Sequence, residues 1–358
     1  MEINLIKKKA IGFDISDLSV KAIGLERKGK DAKIFCFGCV QISKGAIEKG
    51  EIKDEKSVKT SLEKLLASLP AKKSQFHKVA VSLPEEKSFV DVIKVPILLD
   101  QEKLQSVVSF EAENVIPFPL AEVYFDFEKI ETTAKLVKCQ EVLLSACPQK
   151  IVDTYFNVFN DIGITPSFME VESFSVARAL TEKNFFSSPT LIIDFGETRT
   201  TLAIFAGKNL RFTSTINSSS GQLTKSIATF LGISPSSAEE LKKKEGIEGK
   251  KEIFEATIPF LNDMAEQINH YIDYYRNYSA KCQEFSQRKS LNKILLCGAG
   301  ANLKGLVKFL STELNLEVEK ADPLINLSNK TLPPKFNKEM SLSYATAIGL
   351  AIKLIYGD

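Results

Sequence analysis

Short runs dominated by apolar residues at 10–15, 20–26 and 32–42 predict three successive strands, the last two joined by the turn Lys28-Gly29-Lys30-Asp31. Residues 57–69 then carry apolar side chains at 58, 62, 65, 66 and 69, the spacing of an amphipathic helix. A fourth strand, 78–83, closes at Pro84. From about residue 85 to 166 the pattern changes. A strand at 89–95, a helix at 101–115, the rigid segment Ile116-Pro117-Phe118-Pro119, strands at 123–130 and 141–147 and a helix at 150–162 make a compact α+β insert. A short helix at 171–180 follows.

Residues 190–216 then replay the opening three strands, and 221–231 replays the helix after them, stopped by Gly232. Two charged helical stretches come next, 237–244 and 253–278. A strand at 293–297 leads into Gly298-Ala299-Gly300 and a helix at 303–313. The last element, 344–355, mixes Ala and Gly with larger apolar residues, which suits either close helix packing or a plain core helix. Hairpins followed by a crossover helix, occurring twice, give an α/β fold unlike an alternating dinucleotide-binding half.

The repeat carries the candidate chemistry. Ile11-Gly12-Phe13-Asp14-Ile15-Ser16-Asp17 and Leu191-Ile192-Ile193-Asp194-Phe195-Gly196-Glu197-Thr198 lie about 180 residues apart. In each, an apolar strand ends in an aspartate, a small residue stands two positions on, hydroxyl residues follow, and an apolar run returns. Such a turn can cradle phosphate oxygens with N–H and hydroxyl groups while its carboxylate orients water on a bound Mg2+. Aspartate followed by Gly or Ser is also common in purely structural turns. What favours a nucleotide gripped between two such turns is their matching place in two repeated units.

Composition narrows the field. The 358 residues exceed what one core usually holds, so two domains with subdomains are expected. A net charge of +2 with both signs interspersed offers no basic field for nucleic acid. No apolar run near 18 residues predicts a membrane span, and no apolar stretch follows the lysines at 7, 8 and 9, so a cytoplasmic location is expected. Six cysteines, at 36, 39, 139, 147, 282 and 297, read as free thiols. Cys36 and Cys39 have CxxC spacing but sit on a strand, where residues three apart face opposite ways. His77 and His270 are the only histidines, too few for a histidine metal site or much nucleophilic chemistry.

Gly298 and Gly300 follow a buried strand and allow backbone to approach a flat ligand, yet Leu303 stands where a dinucleotide fingerprint needs glycine, and no Walker A motif exists. Glu239 and Lys242 lie one helical turn apart, either holding a ribose and an adenine edge or forming an ion pair on a solvated face. The Ile116–Pro119 segment, flanked by Glu111, Glu113, Glu122 and Asp126, is either a rigid partner-docking element or a structural corner.

With these motifs the chain resembles the actin-like nucleotide-binding superfamily. Asp14-Ile15-Ser16-Asp17-Leu18-Ser19-Val20-Lys21, the stretch from Glu111 through Ile116-Pro117-Phe118-Pro119 to Glu128, the Glu170–Leu180 segment and the Ile193–Thr201 segment resemble the PilM family of type IV pilus assembly proteins, relatives of the cell-division protein FtsA. The resemblance spans essentially the whole chain. It implies a ribonuclease H-like duplicated, two-domain fold with an FtsA-type insert: 1–84, 167–187 and 341–358 as subdomain 1A, 85–166 as insert 1C, 188–233 with 290–340 as 2A, and 234–289 as helical 2B.

Carried over residue by residue, the resemblance implies ATP in a central cleft. Asp14 and Asp194 would serve a Mg2+ through water, Ser16 and Lys21 the phosphates in one turn, and Gly196 and Thr198 those in the other. Gly221 would flank the cleft, Glu239 and Lys242 touch the nucleoside, Gly298 and Gly300 back the adenine, and Glu172 position the attacking water. Ser16 replaces the usual glycine, Asp17 a usual hydroxyl and Ser220 one of two glycines, which favours binding over turnover. The implied partners are the N-terminal cytoplasmic peptide of PilN and other platform proteins. The chain stops at Gly357-Asp358 directly after the packed helix, so membrane attachment is expected to be indirect, peripheral to the inner membrane through the partner. A secretion-system counterpart, an FtsA-like cytoskeletal ATPase and a small-metabolite kinase are the competing readings.

Overall fold

A computed structural model describes residues 8–29, 31–70, 78–97, 100–130, 139–182, 185–281, 290–327 and 332–357. Lys30 of the predicted turn, His77 and Cys282 lie outside the described residues. The chain opens with β1 (Lys8–Ile15), β2 (Ser19–Lys28), β3 (Asp31–Gln41), the short strands β4 (Ile47–Glu48) and β5 (Glu51–Ile52), α1 (Glu55–Ser68) and β6 (Val79–Leu83). The insert region holds β7 (Phe89–Pro96), α2 (Gln101–Val115), β8 (Val123–Lys129), β9 (Cys139–Pro148) and α3 (Gln149–Asp161). After β10 (Phe168–Val171) and α4 (Glu172–Leu180) come β11 (Phe186–Phe195), β12 (Thr200–Gly207), β13 (Asn209–Ile216), α5 (Ser220–Leu231), α6 (Pro235–Glu245) and α7 (Lys251–Lys281). The remainder is β14 (Lys293–Cys297), α8 (Leu306–Leu314), β15 (Glu317–Lys320), α9 (Lys338–Leu342) and α10 (Ala345–Tyr356).

Two five-stranded sheets have the same topology. The first runs β3-β2-β1-β6-β10 and the second β13-β12-β11-β14-β15. In each, two antiparallel pairings build the hairpins, and two parallel pairings extend the sheet on the other side of the central strand. The central strands are buried almost throughout, hence their near-continuous apolar sequences. The sequence reading missed two parallel edge strands, β10 and β15. Each has four residues, and β15 reads Glu-Val-Glu-Lys, too polar for its pattern to show.

Backbone contact explains the small residues of α10. A Cβ on Gly349 would stand 1.8 Å from the Ser175 carbonyl oxygen of α4, and one on Gly12 of β1 would stand 2.3 Å from the Ala347 carbonyl oxygen. Close packing is thus the reading that holds for this helix, which ties β1 to α4.

The insert sheet, β7-β9-β8, carries its own core of Ile93, Val95, Leu104, Val108, Ala112, Ile116, Val123, Val142, Leu144 and Ala146. Packing crosses the expected 85–166 boundary at α3, which touches β8 and β9 as well as the first domain. Ile151, Tyr155, Val158 and Phe159 of α3 pack into the first-domain core, where the Phe159 ring meets Phe13 edge-on at 5.1 Å. The helix follows the insert in sequence but buries its apolar stripe on the first domain, against α1.

Candidate functional site

Asp14 is the penultimate residue of β1 and Asp194 the penultimate residue of β11, so the duplicated sheets present both carboxylates at equivalent strand ends. Their cross-strand neighbours differ: Asp14 pairs with Lys21 and Asp194 with Thr201. Lys21 Nζ lies 3.4 Å from Asp14 Oδ2. Burial alone would lower the Lys21 pKa, but Asp14, Cys39 and Asp194 outweigh it and raise it, so the ammonium stays charged. Asp194 is pushed up to about 6, by burial first and then by Asp14, with Lys21 and Arg199 opposing. Each aspartate therefore lies within electrostatic reach of the other.

The turns are built differently. In the first, the Ser16 N–H donates to the Ser19 carbonyl at 2.9 Å, and Ser16 Oγ reaches the Ser19 carbonyl and Oγ, each at 3.1 Å. Asp17, which stands where a hydroxyl residue is usual, is held by the backbone of a neighbouring loop. It accepts from the Lys49 and Gly50 N–H groups at 3.1 and 3.0 Å. In the second turn the Gly196 N–H donates to the Asp194 and Arg199 carbonyls at 3.2 and 3.0 Å, with Thr198 half-buried beside them. The start of α5 docks here: Ser220 and Gly221 donate their N–H groups to the Gly196 and Glu197 carbonyls at 2.9 and 3.0 Å. A Cβ on Gly221 would come 2.6 Å from the latter oxygen.

Gly298 has φ +81, and a Cβ there would fall 2.3 Å from Asp194 Oδ1; one on Gly300 would fall 2.4 Å from the Phe195 ring. Both glycines let the loop after β14 lie against the end of β11, which brings it beside Asp194. Glu172 opens α4 and is half-buried. Burial raises its carboxyl, and Asp14, Glu85 and Asp194 add to this against the opposing Arg199.

Glu239 and Lys242 sit one layer away. Lys242 is buried, not on a solvated face, and its ammonium donates to the Ser220 carbonyl, Ser220 Oγ and Thr224 Oγ1 at 3.0, 2.8 and 2.7 Å. It also pairs with Glu239 at 2.7 Å. Burial lowers the Lys242 pKa, with Glu239 opposing. The pair therefore fastens α6 to the first turn of α5, and reaches the acidic turns only through that helix start.

Sequence reasoning missed Arg199, Glu85 and Glu86. Arg199 follows Thr198 in the second turn and is 8% exposed. Its guanidinium lies 3.0 Å from Glu172, 3.4 Å from Glu86 and 3.5 Å from Asp17. Burial alone would lower its pKa, but those three carboxylates reverse the direction. Buried Glu85 accepts from the Ser173 N–H at 3.1 Å and from Thr213 Oγ1 at 2.6 Å. The unmatched cation in an otherwise acidic repeat was the one available signal.

Around the cleft, Asp14, Asp17, Glu85, Glu86, Glu172 and Asp194 face two cations, Lys21 and Arg199. Among the described residues no group of three or more His, Cys, Asp or Glu side chains converges tightly enough to ligate a metal directly. A divalent cation held through water between two aspartates fits this donor set, and the acidic excess favours it. Cys36 is buried and Cys39 exposed, so the CxxC pair does not converge.

Comparisons with known proteins agree on the fold. The structure titled "PilM-PilN type IV pilus biogenesis complex" superposes with a TM-score of 0.79 at 21% identity, covering 97% of this chain and 98% of that one. The ethanolamine utilization protein EutJ from Carboxydothermus hydrogenoformans gives 0.59 at 14% identity, covering 96% and 89%. ADP-bound MreB5 of Spiroplasma citri gives 0.55 at 12% identity, covering 97% and 96%. The fold is thus actin-like, and no described helix is long and apolar enough to cross a membrane. The family model for the type IV pilus assembly protein PilM matches residues 12–355, and the chain belongs to that family.

Proposed function

We propose that this chain is an ATP-binding scaffold of the type IV pilus inner-membrane platform. It takes up Mg2+ with the nucleotide and binds the N-terminal cytoplasmic peptide of PilN. In this reading it works in the cytoplasm, held to the membrane periphery through PilN and other platform proteins. One observation supports the nucleotide part: Asp14 and Asp194 stand at equivalent ends of the central strands of two sheets of the same topology, within electrostatic reach of each other. Membership of the PilM family supports the pilus part.

The residues divide the work. Lys21 supplies a fixed positive charge to phosphate oxygens, and Ser16 and Thr198 supply hydroxyls from opposite turns. Asp14 and Asp194 would hold the cation through water, which in turn would neutralise phosphate charge. Gly298 and Gly300 keep the loop after β14 low beside Asp194, where a nucleoside would rest, with Gly221, Glu239 and Lys242 supporting the second turn through α5. Glu172 is the group that would orient water toward the terminal phosphate.

Calorimetric titration with ATP, with and without Mg2+, tests the site. Asp194→Ala should weaken Mg-dependent binding by about 100-fold, close to 3 kcal/mol. Unchanged affinity would show that the acidic turns do not hold the nucleotide. Titration of a PilN N-terminal peptide tests the partner separately, and failure to bind would remove that half of the reading.

A further inference from the structure

Arg199 belongs to the second domain, yet every carboxylate it pairs with belongs to the first. Asp17 comes from the β1–β2 turn, Glu86 from the short helical turn after β6, and Glu172 from the start of α4. Asp17 is itself anchored, because it accepts from the Gly50 N–H while the Gly50 carbonyl accepts from the buried Tyr155 hydroxyl at 2.9 Å. The receiving surface is therefore stiff. A guanidinium does not lose its proton and offers five donors in a planar fork, so one side chain can serve several acids at once.

Two further ties cross beside it. Glu85 bridges Thr213 of β13 to the backbone of α4, and Arg211 of β13 pairs with Glu141 of the insert. Arg199 is the tie that lies at the phosphate turn itself, and it engages the one acid expected to orient water. The guanidinium holds Glu172 Oε1, and its charge beside that carboxylate makes Glu172 a weaker acceptor for a proton from that water.

We propose that Arg199 is a latch across the cleft: it holds the two domains together without nucleotide and occupies Glu172, so that bound ATP is retained and not turned over. The first half stands on the protein alone. The second rests on the ATP reading above. A latch of this kind biases a hinge equilibrium toward the closed state, and it loses that bias when its cation is removed.

Pulsed electron paramagnetic resonance on the full chain tests the first half, with ketone-reactive spin labels at exposed positions 64 and 225, one per domain. Nucleotide-free protein should give one narrow distance. Arg199→Gln should add a longer population, Glu86→Gln a smaller share of it, and Arg199→Lys should restore most of the closed state. If Arg199→Gln does not fold, Glu86→Gln and Arg199→Lys still decide. A folded Arg199→Gln, or failing that Glu86→Gln, with the unaltered protein's single distance overturns the latch. For the second half, Arg199→Gln should release a fluorescent ATP analogue at least about 10-fold faster and hydrolyse ATP several-fold faster. Opened domains with unchanged release and turnover overturn the link to Glu172. Failure of the unaltered protein to bind ATP would instead sink the ATP reading, and the distance measurement would still judge the latch.

Discussion

The two acidic turns share a fold and divide their charges in opposite ways. In the first unit the cation stays home, since Lys21 faces Asp14 across one hairpin at 3.4 Å. In the second unit the register position opposite Asp194 is the neutral Thr201, and the turn's own cation, Arg199, is turned toward the other domain. Asp194 is half-buried near Asp14 with no close counter-charge among the described residues, and its carboxyl rises to about 6. Duplication preserved the strand ends while the charges diverged. One turn is balanced internally, and the other is completed only by what enters the cleft or by what lies across it.

The sharpest way to break this contrast is to neutralise each aspartate in turn. Both substitutions should cost Mg-dependent ATP affinity by one to two orders of magnitude, as losing one side of a charge clamp does. Their effects on the nucleotide-free protein should have opposite signs. Asp194→Asn relieves an uncompensated carboxylate and should raise stability at pH 7.5 by about 1–3 kcal/mol. Asp14→Asn strands the Lys21 ammonium and should lower stability by a similar amount. Urea unfolding of both variants decides it, and equal signs would dissolve the distinction between the turns.

The next test uses pH. The Asp194 carboxyl in the folded protein lies above its ordinary 3.8, at about 6, so the folded state binds more protons than the unfolded state between those values. Stability contributed by this group is present below about pH 4, is lost as pH rises to about 6, and is flat beyond, a loss of roughly 3 kcal/mol at most. Burial raises Glu85 and Glu172 as well, which acts in the same direction. The stability difference between Asp194→Asn and the unaltered protein should widen across that window without nucleotide and shrink when Mg-ATP is present. A constant gap would mean that the cleft already compensates Asp194.

Lys21→Met should follow with a smaller effect, about 10-fold in ATP affinity, because a single phosphate-facing cation is lost while the turn's backbone persists. Loss of nothing measurable would place Lys21 in service of Asp14 alone.

Much of this was readable from pattern. Short apolar runs and helical spacing located the two repeated hairpins, and their common ending in aspartate pointed to the cleft. What escaped was whatever depended on pairing between distant segments. Arg199 meets Glu172 over 27 residues and Glu86 over 113, and no local period encodes such a meeting. Lys242 was balanced between a solvated face and a ligand contact, because its spacing from Glu239 is the same whether the helix is exposed or, as here, pinned on Ser220 and Thr224. The helix α3 was assigned to the insert by sequence proximity, and only its Tyr155 and Phe159 face shows where it packs.

The smallest effect separates the turns by backbone alone. Ser16 fills the place of a glycine in the first turn, and its hydroxyl holds the turn to Ser19, so Ser16→Gly gives up two hydrogen bonds and adds chain freedom. A loss of about 1 kcal/mol in stability is expected, with ATP affinity within a few-fold. The reciprocal change should be worse. A Cβ on Gly196 would stand 2.8 Å from the Arg199 carbonyl oxygen, within the same turn that the Gly196 N–H closes. Gly196→Ser must therefore push out the backbone that carries Arg199, costing about 1–3 kcal/mol and loosening the domains in the distance measurement. If Gly196→Ser proves as mild as Ser16→Gly, the second turn is soft, and Arg199 is placed by its acidic partners and not by the strand end that bears it.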